Sequence, residues 1–221
     1  MRVTDLKTRR KRLIAVIIDP APDKEYFGFE ADNTTGMPLI DATLCAERAV
    51  DVGDVYTESE LFELIDESFY RRAYSRAIWY LSRSDCSRKE LFSKLVRVFP
   101  EEAASRVCDR AEELGLIDDE RYAARLAENY LTNKSIAARK AEMLMVGKGI
   151  DRESARTALD EIEVDNVATI CSLIEKKYRS RMDDRAGVEK TAAALARRGF
   201  SFSDIREAIK KYNDEAELTE D

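Results

Sequence analysis

The residues of this chain that could do chemistry are arginines and lysines that recur in clusters. A guanidinium binds phosphate and carboxylate oxygens through paired N–H donors, and an ammonium binds them as a point charge. Such clusters favour an anionic partner, although the solvated face of an amphipathic helix has the same composition. The candidate partner-binding residues are Arg71, Arg72, Arg76, Arg83, Arg88, Lys89, Lys176, Lys177, Arg179, Arg181, Arg197 and Arg198.

The sequence offers no set of side chains for covalent or acid–base catalysis. Histidine is absent from the 221 residues, which excludes Ser-His-Asp and Cys-His arrangements. Gly147-Lys148-Gly149 resembles the end of a phosphate-binding loop, but Glu142 stands where that loop needs its first glycine. We therefore predict that the protein is not an enzyme, with no catalytic residue and no cofactor.

The acidic and cysteine residues do not have the spacing of a metal site. Asp118-Asp119-Glu120 lacks the glycine turn and the further oxygen ligands of a calcium loop, and it predicts the N-terminal cap of a helix instead. The four cysteines stand at least 22 residues apart, so no Cys-x-x-Cys pair exists. Four buried thiols and no metal are typical of a protein in the reducing cytoplasm, where we expect this one.

The net charge of −7 is unevenly distributed along the chain. Residues 71–212 carry +5, whereas residues 1–70 carry −7 and residues 213–221 carry −5. A protein that binds duplex DNA tightly is ordinarily basic overall, so this pattern favours a protein or nucleoprotein partner with at most weak direct contact to DNA. No apolar stretch approaches the ~18 residues of a transmembrane helix, which predicts no membrane contact.

Three aromatic residues, Trp79, Tyr80 and Tyr178, lie close in sequence to the basic clusters. Aromatic and arginine side chains dominate the energetics of protein interfaces, so these three could be interface anchors. Packing in the core is the commoner role of an aromatic side chain on a helix, and we favour it here.

Residues 1–56 form an N-terminal segment with the only strong strand signal. The stretches RLIAVIID (12–19) and EYFGFEAD (25–32) are rich in Ile, Val, Tyr and Phe, and PAPDK separates them. They predict a small antiparallel β-hairpin, which needs a third strand or a helix to pack on.

From residue 57 the helical period takes over, and a group of three short helices recurs about every 50 residues. The capping boxes Thr57-Glu58-Ser59-Glu60 and Ser87-Arg88-Lys89-Glu90 each predict a helix start. The apolar residues Leu95, Met145 and Leu195 stand 50 positions apart, and Phe99, Ile150 and Phe200 follow at intervals of 51 and 50.

The predicted fold class is mainly α, with tandem three-helix, helix-turn-helix-like repeats in an elongated, curved array behind the small N-terminal β-hairpin. The predicted boundaries are 1–56 for the N-terminal segment, 57–117 for a linker helix and repeat 1, 118–163 for repeat 2, 164–212 for repeat 3 and 213–221 for an acidic tail.

Four motifs between about residue 70 and residue 212 resemble the RecX family, the regulators of the RecA recombinase. The most specific is LGLIDDERYA (114–123), which resembles the family pattern L-G-[LI]-[LI]-[DN]-D-x-x-[FY]-A. YLSRSDCSRKELFSKL (80–95), GKGID (147–151) and ARRGFS (196–201) resemble three further family motifs and stand in the family's order. The middle repeat reads NKSIAARKAEML where the family usually has a Gly-Pro entry.

The resemblance implies a non-enzymatic cytoplasmic protein that binds the RecA–single-stranded-DNA filament in its helical groove and limits ATP hydrolysis and strand exchange. We expect such a protein to act as a monomer. Two alternatives stay open, a helix-turn-helix DNA-binding regulator and a scaffold that binds another helical protein through an apolar groove.

Overall fold

A computed structural model describes the backbone of residues 1–219 and the side chains of residues 1–214. Its strands are β1 (Arg2–Arg9), β2 (Leu13–Asp19) and β3 (Leu39–Asp41). Its α-helices are α1 (Lys24–Phe27), α2 (Ala42–Glu47), α3 (Glu58–Leu81), α4 (Arg88–Leu95), α5 (Glu101–Glu113), α6 (Asp119–Glu128), α7 (Ala138–Gly147), α8 (Arg152–Asp160), α9 (Asn166–Leu173), α10 (Arg185–Arg197) and α11 (Phe202–Thr219). The chain divides into a first unit, residues 1–85 and 91–117, and a second unit, residues 86–90 and 118–221.

An antiparallel sheet begins the first unit, with β2 in the centre between β1 and β3. The predicted hairpin between residues 12–19 and 25–32 is wrong, because β2 pairs with residues 2–9 instead. Only Val3 is buried in β1, so this edge strand has a polar sequence without the apolar signal of a strand. The other seven side chains of β1 are exposed or half-buried, so polar residues are tolerated at these positions.

The second predicted strand, residues 25–32, contains a helical turn. The carboxylate of Asp23 accepts hydrogen bonds from the amides of Glu25 and Tyr26, which starts α1. Gly28 ends this helix in the left-handed region at φ 63°, where glycine is favoured because it has no Cβ. The local capping interactions therefore override the strand preference of the aromatic residues.

Helix α3 connects the sheet to the first three-helix group. It begins at the predicted capping box, since the Thr57 side chain accepts from the amide of Glu60 and the Glu60 carboxylate accepts from the amide of Thr57. The helix contacts both β3 and α5. The hydroxyl of the buried Ser68 accepts a hydrogen bond from the amide of Asp41 at 2.9 Å, which fixes β3 against α3.

The second unit contains two complete three-helix groups, α6–α8 and α9–α11, each with its own core. Tyr122, Leu126 and Tyr130, which stand four residues apart, are buried in the first core. The repeating anchors of all three groups are also buried, which confirms the predicted spacing; they are Leu95, Met145, Leu195, Phe99, Ile150 and Phe200. The predicted mainly α fold class with tandem three-helix groups is confirmed, and its small N-terminal β segment is a three-stranded sheet.

Two glycine turns of the second unit make the same close contact, which we call a glycine joint. A Cβ atom on Gly149 would lie 2.7 Å from the Cβ of Lys89 and from the hydroxyl of Ser87. A Cβ atom on Gly199 would lie 2.5 Å from the Cβ of Lys140. Each turn thus lies against the start of a helix in the preceding group, at a distance that only glycine permits.

Helix α11 continues to Thr219, so the predicted acidic tail of residues 213–221 begins inside it, and residues 220 and 221 lie outside the described part of the chain. Cys45, Cys86 and Cys108 are buried as predicted, whereas Cys171 is half-buried. None of the helices described is both long and apolar enough to cross a membrane.

Candidate partner-binding surfaces

Arg71 and Arg72, the first candidate residues, lie in ion pairs inside the first unit. The guanidinium of Arg71 lies 2.6 Å from the Glu47 carboxylate and 2.9 Å from that of Glu67. The hydrogen bond that Arg71 donates to Glu47 raises the pKa of Arg71, with a further contribution from Glu67. Because Glu47 belongs to α2, Arg71 connects α2 to α3.

The side chain of Arg72 is part of the packing and is only 16% exposed. It pairs with Glu30, and its guanidinium lies 5.6 Å from the ring centroid of Phe69 and 5.8 Å from that of Phe99. A direct role for Arg71 and Arg72 in partner binding stays a prediction.

Arg76 and Arg83 both lie close to the ring of an exposed tryptophan. Their guanidinium carbons lie 5.7 Å and 4.3 Å from the ring centroid of Trp79, within the range of cation–π attraction. Trp79 is 44% exposed, so the expectation of core packing is wrong for this residue. Trp79 stands two positions after Ala77, which is buried in the core-facing stripe of α3. Two positions correspond to more than half a helical turn, so Trp79 lies on the other side of the helix.

The other two aromatic residues of this set, Tyr80 and Tyr178, are half-buried. Each has a basic group above its ring, Lys94 at 5.5 Å from Tyr80 and Arg181 at 5.6 Å from Tyr178.

Arg88 and Lys89 stand at the start of α4, within the first glycine joint. The amide of Arg88 donates to the Asp119 carboxylate at 2.9 Å, and the Cβ of Lys89 lies against Gly149. Arg88 is half-buried and Lys89 is exposed. Their backbone therefore has a structural role, while the ammonium of Lys89 is available on the surface.

Five basic residues of the second unit line one cleft of about 400 Å³, which we call the basic cleft. They are Lys134, Lys140, Lys177, Arg197 and Arg198, with Asn133 and Ile136 as the remaining lining residues. No carboxylate is among these described residues. The cleft can therefore hold an anionic group, such as a phosphate or the acidic surface of a protein, through several cations at once.

The second glycine joint builds this cleft. The amide of Ala137 donates to the carbonyl of Arg198 at 3.1 Å. The guanidinium of Arg198 in turn donates to the carbonyl oxygens of Lys134 at 2.6 Å and Ser135 at 3.2 Å. Because these bonds join the α6–α7 connection to the end of α10, they bring the lysines of one group next to the arginines of the next.

Sequence reasoning missed Lys134 and Lys140. They lie in the middle group, which has no basic cluster of its own, and about 40 residues before Lys177. Only the tertiary contact at Gly199 brings them together with the predicted residues.

The remaining basic candidates lie near the π-helical turn Ile174–Tyr178 that follows α9. Arg179 pairs with Glu175 at 2.9 Å, which reduces its capacity for a partner. Arg181 and Arg197 line a second cleft that also contains Asp183 and Asp184, so that cleft is of mixed charge. Lys176 is exposed.

The described residues contain no group of three or more acidic or cysteine side chains that could hold a metal ion. Burial raises the pKa of Cys45 to about 11, which keeps this thiol protonated and unreactive near neutral pH. The chemistry available at the candidate surfaces is ionic binding and aromatic stacking.

Two sequence models of one family match the chain. That described as "RecX, first three-helix domain" matches residues 73–110, and that described as "RecX, third three-helix domain" matches residues 163–209. The first range contains the end of α3, all of α4 and most of α5, and the second contains α9, α10 and the beginning of α11.

Curated relatives have the same description. The "Regulatory protein RecX" of Chlorobium phaeobacteroides (strain BS1) is 33% identical over 143 residues, which are 63% of this chain and 92% of the relative. The protein of that name from Clostridioides difficile (strain 630) is 26% identical over 162 residues, which are 72% of this chain and 76% of the relative. These homologues are named as regulatory proteins and not as enzymes.

A solved structure has the same fold. The crystal structure of RecX from Lactobacillus salivarius superposes with a TM-score of 0.57 at 26% sequence identity, and the match covers 66% of this chain and 97% of that one.

Proposed function

Since this chain belongs to the RecX family of regulatory proteins, we propose that it binds the RecA–single-stranded-DNA filament in the filament's helical groove and limits its ATPase and strand-exchange activities. The protein acts by binding one state of the filament more tightly than the others, because a ligand shifts an equilibrium only by its difference in affinity. It does so as a monomer in the cytoplasm, without catalysis of its own.

The observation that carries this proposal is the basic cleft of the second unit. Lys134, Lys177 and Arg197 are exposed there, and the filament offers both DNA phosphates and acidic protein side chains as partners. The repeats bounded at 57–117, 118–163 and 164–212 are the docking units, and the joint between the second and third places the cleft.

The experiment measures the single-stranded-DNA-dependent ATPase and the strand exchange of RecA filaments with increasing amounts of the full chain. The triple variant Lys134→Gln, Lys177→Gln and Arg197→Gln removes three exposed charges and leaves Arg198 and its joint hydrogen bonds in place. We expect half-maximal inhibition to need roughly tenfold more of this variant, equivalent to about 1.4 kcal/mol over three contacts.

A matched control carries the same change of charge elsewhere in the second unit. Arg206, Lys210 and Lys211 are exposed on α11 and do not line the cleft, so their replacement by glutamine should leave inhibition unchanged. If saturating wild-type protein alters neither activity, the filament proposal is wrong. If the cleft variant inhibits as well as wild type, the cleft is not the binding surface.

The same preparation tests the alternative of a helix-turn-helix DNA-binding regulator. That function requires tight binding to duplex DNA without RecA, with an affinity that falls steeply as salt is added. Such binding by the wild-type chain, together with no effect on filaments, would replace the present proposal by the alternative.

A further inference from the structure

A groove of about 750 Å³ lies in the first unit, lined by the turn of the β1–β2 hairpin and by one face of α3. It is separate from the basic cleft, which belongs to the second unit. Lys11 and Arg12 line it from the turn, and Tyr74, Arg76 and Trp79 line it from the helix. Its lining thus combines cations with aromatic rings.

Three cations of this groove have no carboxylate partner in the described part of the chain, namely Lys11, Arg12 and Arg76. The other arginines that line it are neutralised, since Arg71 pairs with Glu47 and Glu67, Arg72 with Glu30, and Arg110 with Glu113. The lining also contains two carboxylates, Glu30, which pairs with Arg72, and Asp41, which caps α2. The cations of the groove outnumber these carboxylates, so its lining keeps an excess of positive charge.

The hairpin turn presents its basic residues at a conformational cost. Lys11 and Arg12 have φ values of 62° and 59°, in the left-handed region that is unfavourable for residues with a Cβ. Two glycines would satisfy this turn with less strain. Strained residues of this kind cluster at binding sites, so two exposed basic residues here point to a ligand.

Trp79 supplies a flat apolar surface beside these charges. The residue is 44% exposed, and the guanidinium groups of Arg76 and Arg83 lie 5.7 Å and 4.3 Å from its ring centroid. An exposed ring next to cations is the arrangement by which proteins hold unpaired bases, with the base stacked on the ring and the phosphates on the cations.

We propose that this groove binds single-stranded nucleic acid, with phosphates at Lys11, Arg12 and Arg76 and a base stacked on Trp79. Duplex DNA does not fit this chemistry, because its bases are paired and stacked on each other. An acidic peptide would use the cations but not the tryptophan. The proposal goes beyond the function proposed above, because it needs no RecA and uses the other unit of the chain.

The chain has a single tryptophan, so fluorescence excited at a wavelength that tyrosine does not absorb reports on Trp79 alone. The full chain is titrated with a short oligothymidylate. We expect saturable quenching of Trp79, with a slope of log affinity against log salt of about −2, since each of three neutralised phosphates contributes about −0.7.

The variants are chosen to preserve the fold. Lys11→Gly with Arg12→Gly removes two cations and suits the left-handed turn, so the salt slope should fall to about −0.7. Arg97→Gln is the matched control, because Arg97 is exposed in the same unit and does not line the groove. It should bind as wild type does.

A fluorescently labelled oligonucleotide tests the stacking contact. Trp79→Phe keeps a ring and should keep most of the affinity, whereas Trp79→Ala should weaken binding by roughly 5- to 100-fold. The absence of quenching at saturating oligothymidylate would overturn the proposal. Equal binding of inorganic polyphosphate, of polyglutamate or of duplex DNA would overturn it too, since none of them offers an unpaired base.

The outcome is distinguishable from that of the filament experiment. The triple variant of the basic cleft keeps the groove intact, so it should bind the oligothymidylate as wild type does even where filament inhibition is lost. Loss of oligothymidylate binding in that variant would assign the nucleic acid to the cleft and overturn the proposal for the groove.

Discussion

Replacement of Gly199 by alanine tests whether the glycine joint holds the second and third three-helix groups together. Gly199 has φ +93°, and a Cβ atom placed on it would lie 2.5 Å from the Cβ of Lys140, 3.3 Å from its amide nitrogen and 3.4 Å from its Cα. Lys140 lies within α7, whose backbone cannot move without breaking helical hydrogen bonds.

The expected loss of stability has two parts. The left-handed backbone costs a residue with a Cβ roughly 1–2 kcal/mol. Forcing a methyl group into a closely packed contact costs a further ~1–3 kcal/mol. Gly199→Ala should therefore lower the free energy of unfolding by about 2–5 kcal/mol.

Two further variants separate these parts. Gly115 has φ +66°, and a Cβ atom placed on it would have nothing within 4 Å, so Gly115→Ala should show only the backbone cost of about 1–2 kcal/mol. Lys140→Gly removes the Cβ atom with which the new methyl group at position 199 would collide. In the double variant, most of the packing cost should therefore disappear. Its loss of stability should be smaller than the sum of the two single losses by about 1–3 kcal/mol.

Urea unfolding followed by circular dichroism gives these free energies, provided that the slope m is unchanged among the variants. If Gly199→Ala is no more damaging than Gly115→Ala, the close contact is not present. If the effects of Gly199→Ala and Lys140→Gly add to within ~0.5 kcal/mol, the two residues do not touch.

Three further predictions concern the cores and titratable groups. Leu95→Ala, Met145→Ala and Leu195→Ala should each cost ~2–5 kcal/mol in urea unfolding, because all three side chains are fully buried; a loss below ~1 kcal/mol would contradict the shared anchor role. Hydrogen bonds from Arg9 hold the pKa of the Asp32 carboxyl well below its usual range. The wild-type protein should therefore have a higher free energy of unfolding than Asp32→Asn, by an amount that is constant above pH ~5. This difference should shrink below pH ~4, where the carboxyl of the unfolded chain gains its proton; a difference that stays constant down to pH 2 would contradict this. Cys45, whose pKa is raised to about 11, should react with a thiol reagent at pH 8 only after unfolding, and labelling of the native protein at this residue would show that the site is open.

Much of the helical architecture could be predicted because its signals are local. The Thr57 capping box and the apolar period around Leu95, Met145 and Leu195 are properties of short stretches, and the structure confirms both, since the box is formed and the three side chains are buried. The strand pairing of the N-terminal segment could not be predicted in this way, since β1 is a polar edge strand with only Val3 buried.

The candidate site was predictable only in part, for a related reason. The sequence identifies Lys177, Arg197 and Arg198 as a basic set, but Lys134 and Lys140 join them only where α7 meets the turn at Gly199. Likewise, Arg72 and Arg76 look equivalent in the sequence, yet one is packed against Phe69 and Phe99 and the other is exposed beside Trp79.

The sequence by itself determined the helical groups, their repeat and the family to which they belong, because helix period, capping and turn glycines act over a few residues. Only the tertiary structure decided which cations remain available to a partner. That choice depends on which carboxylates and which basic residues meet across tens of positions, and such contacts form only when the apolar faces of distant elements pack together.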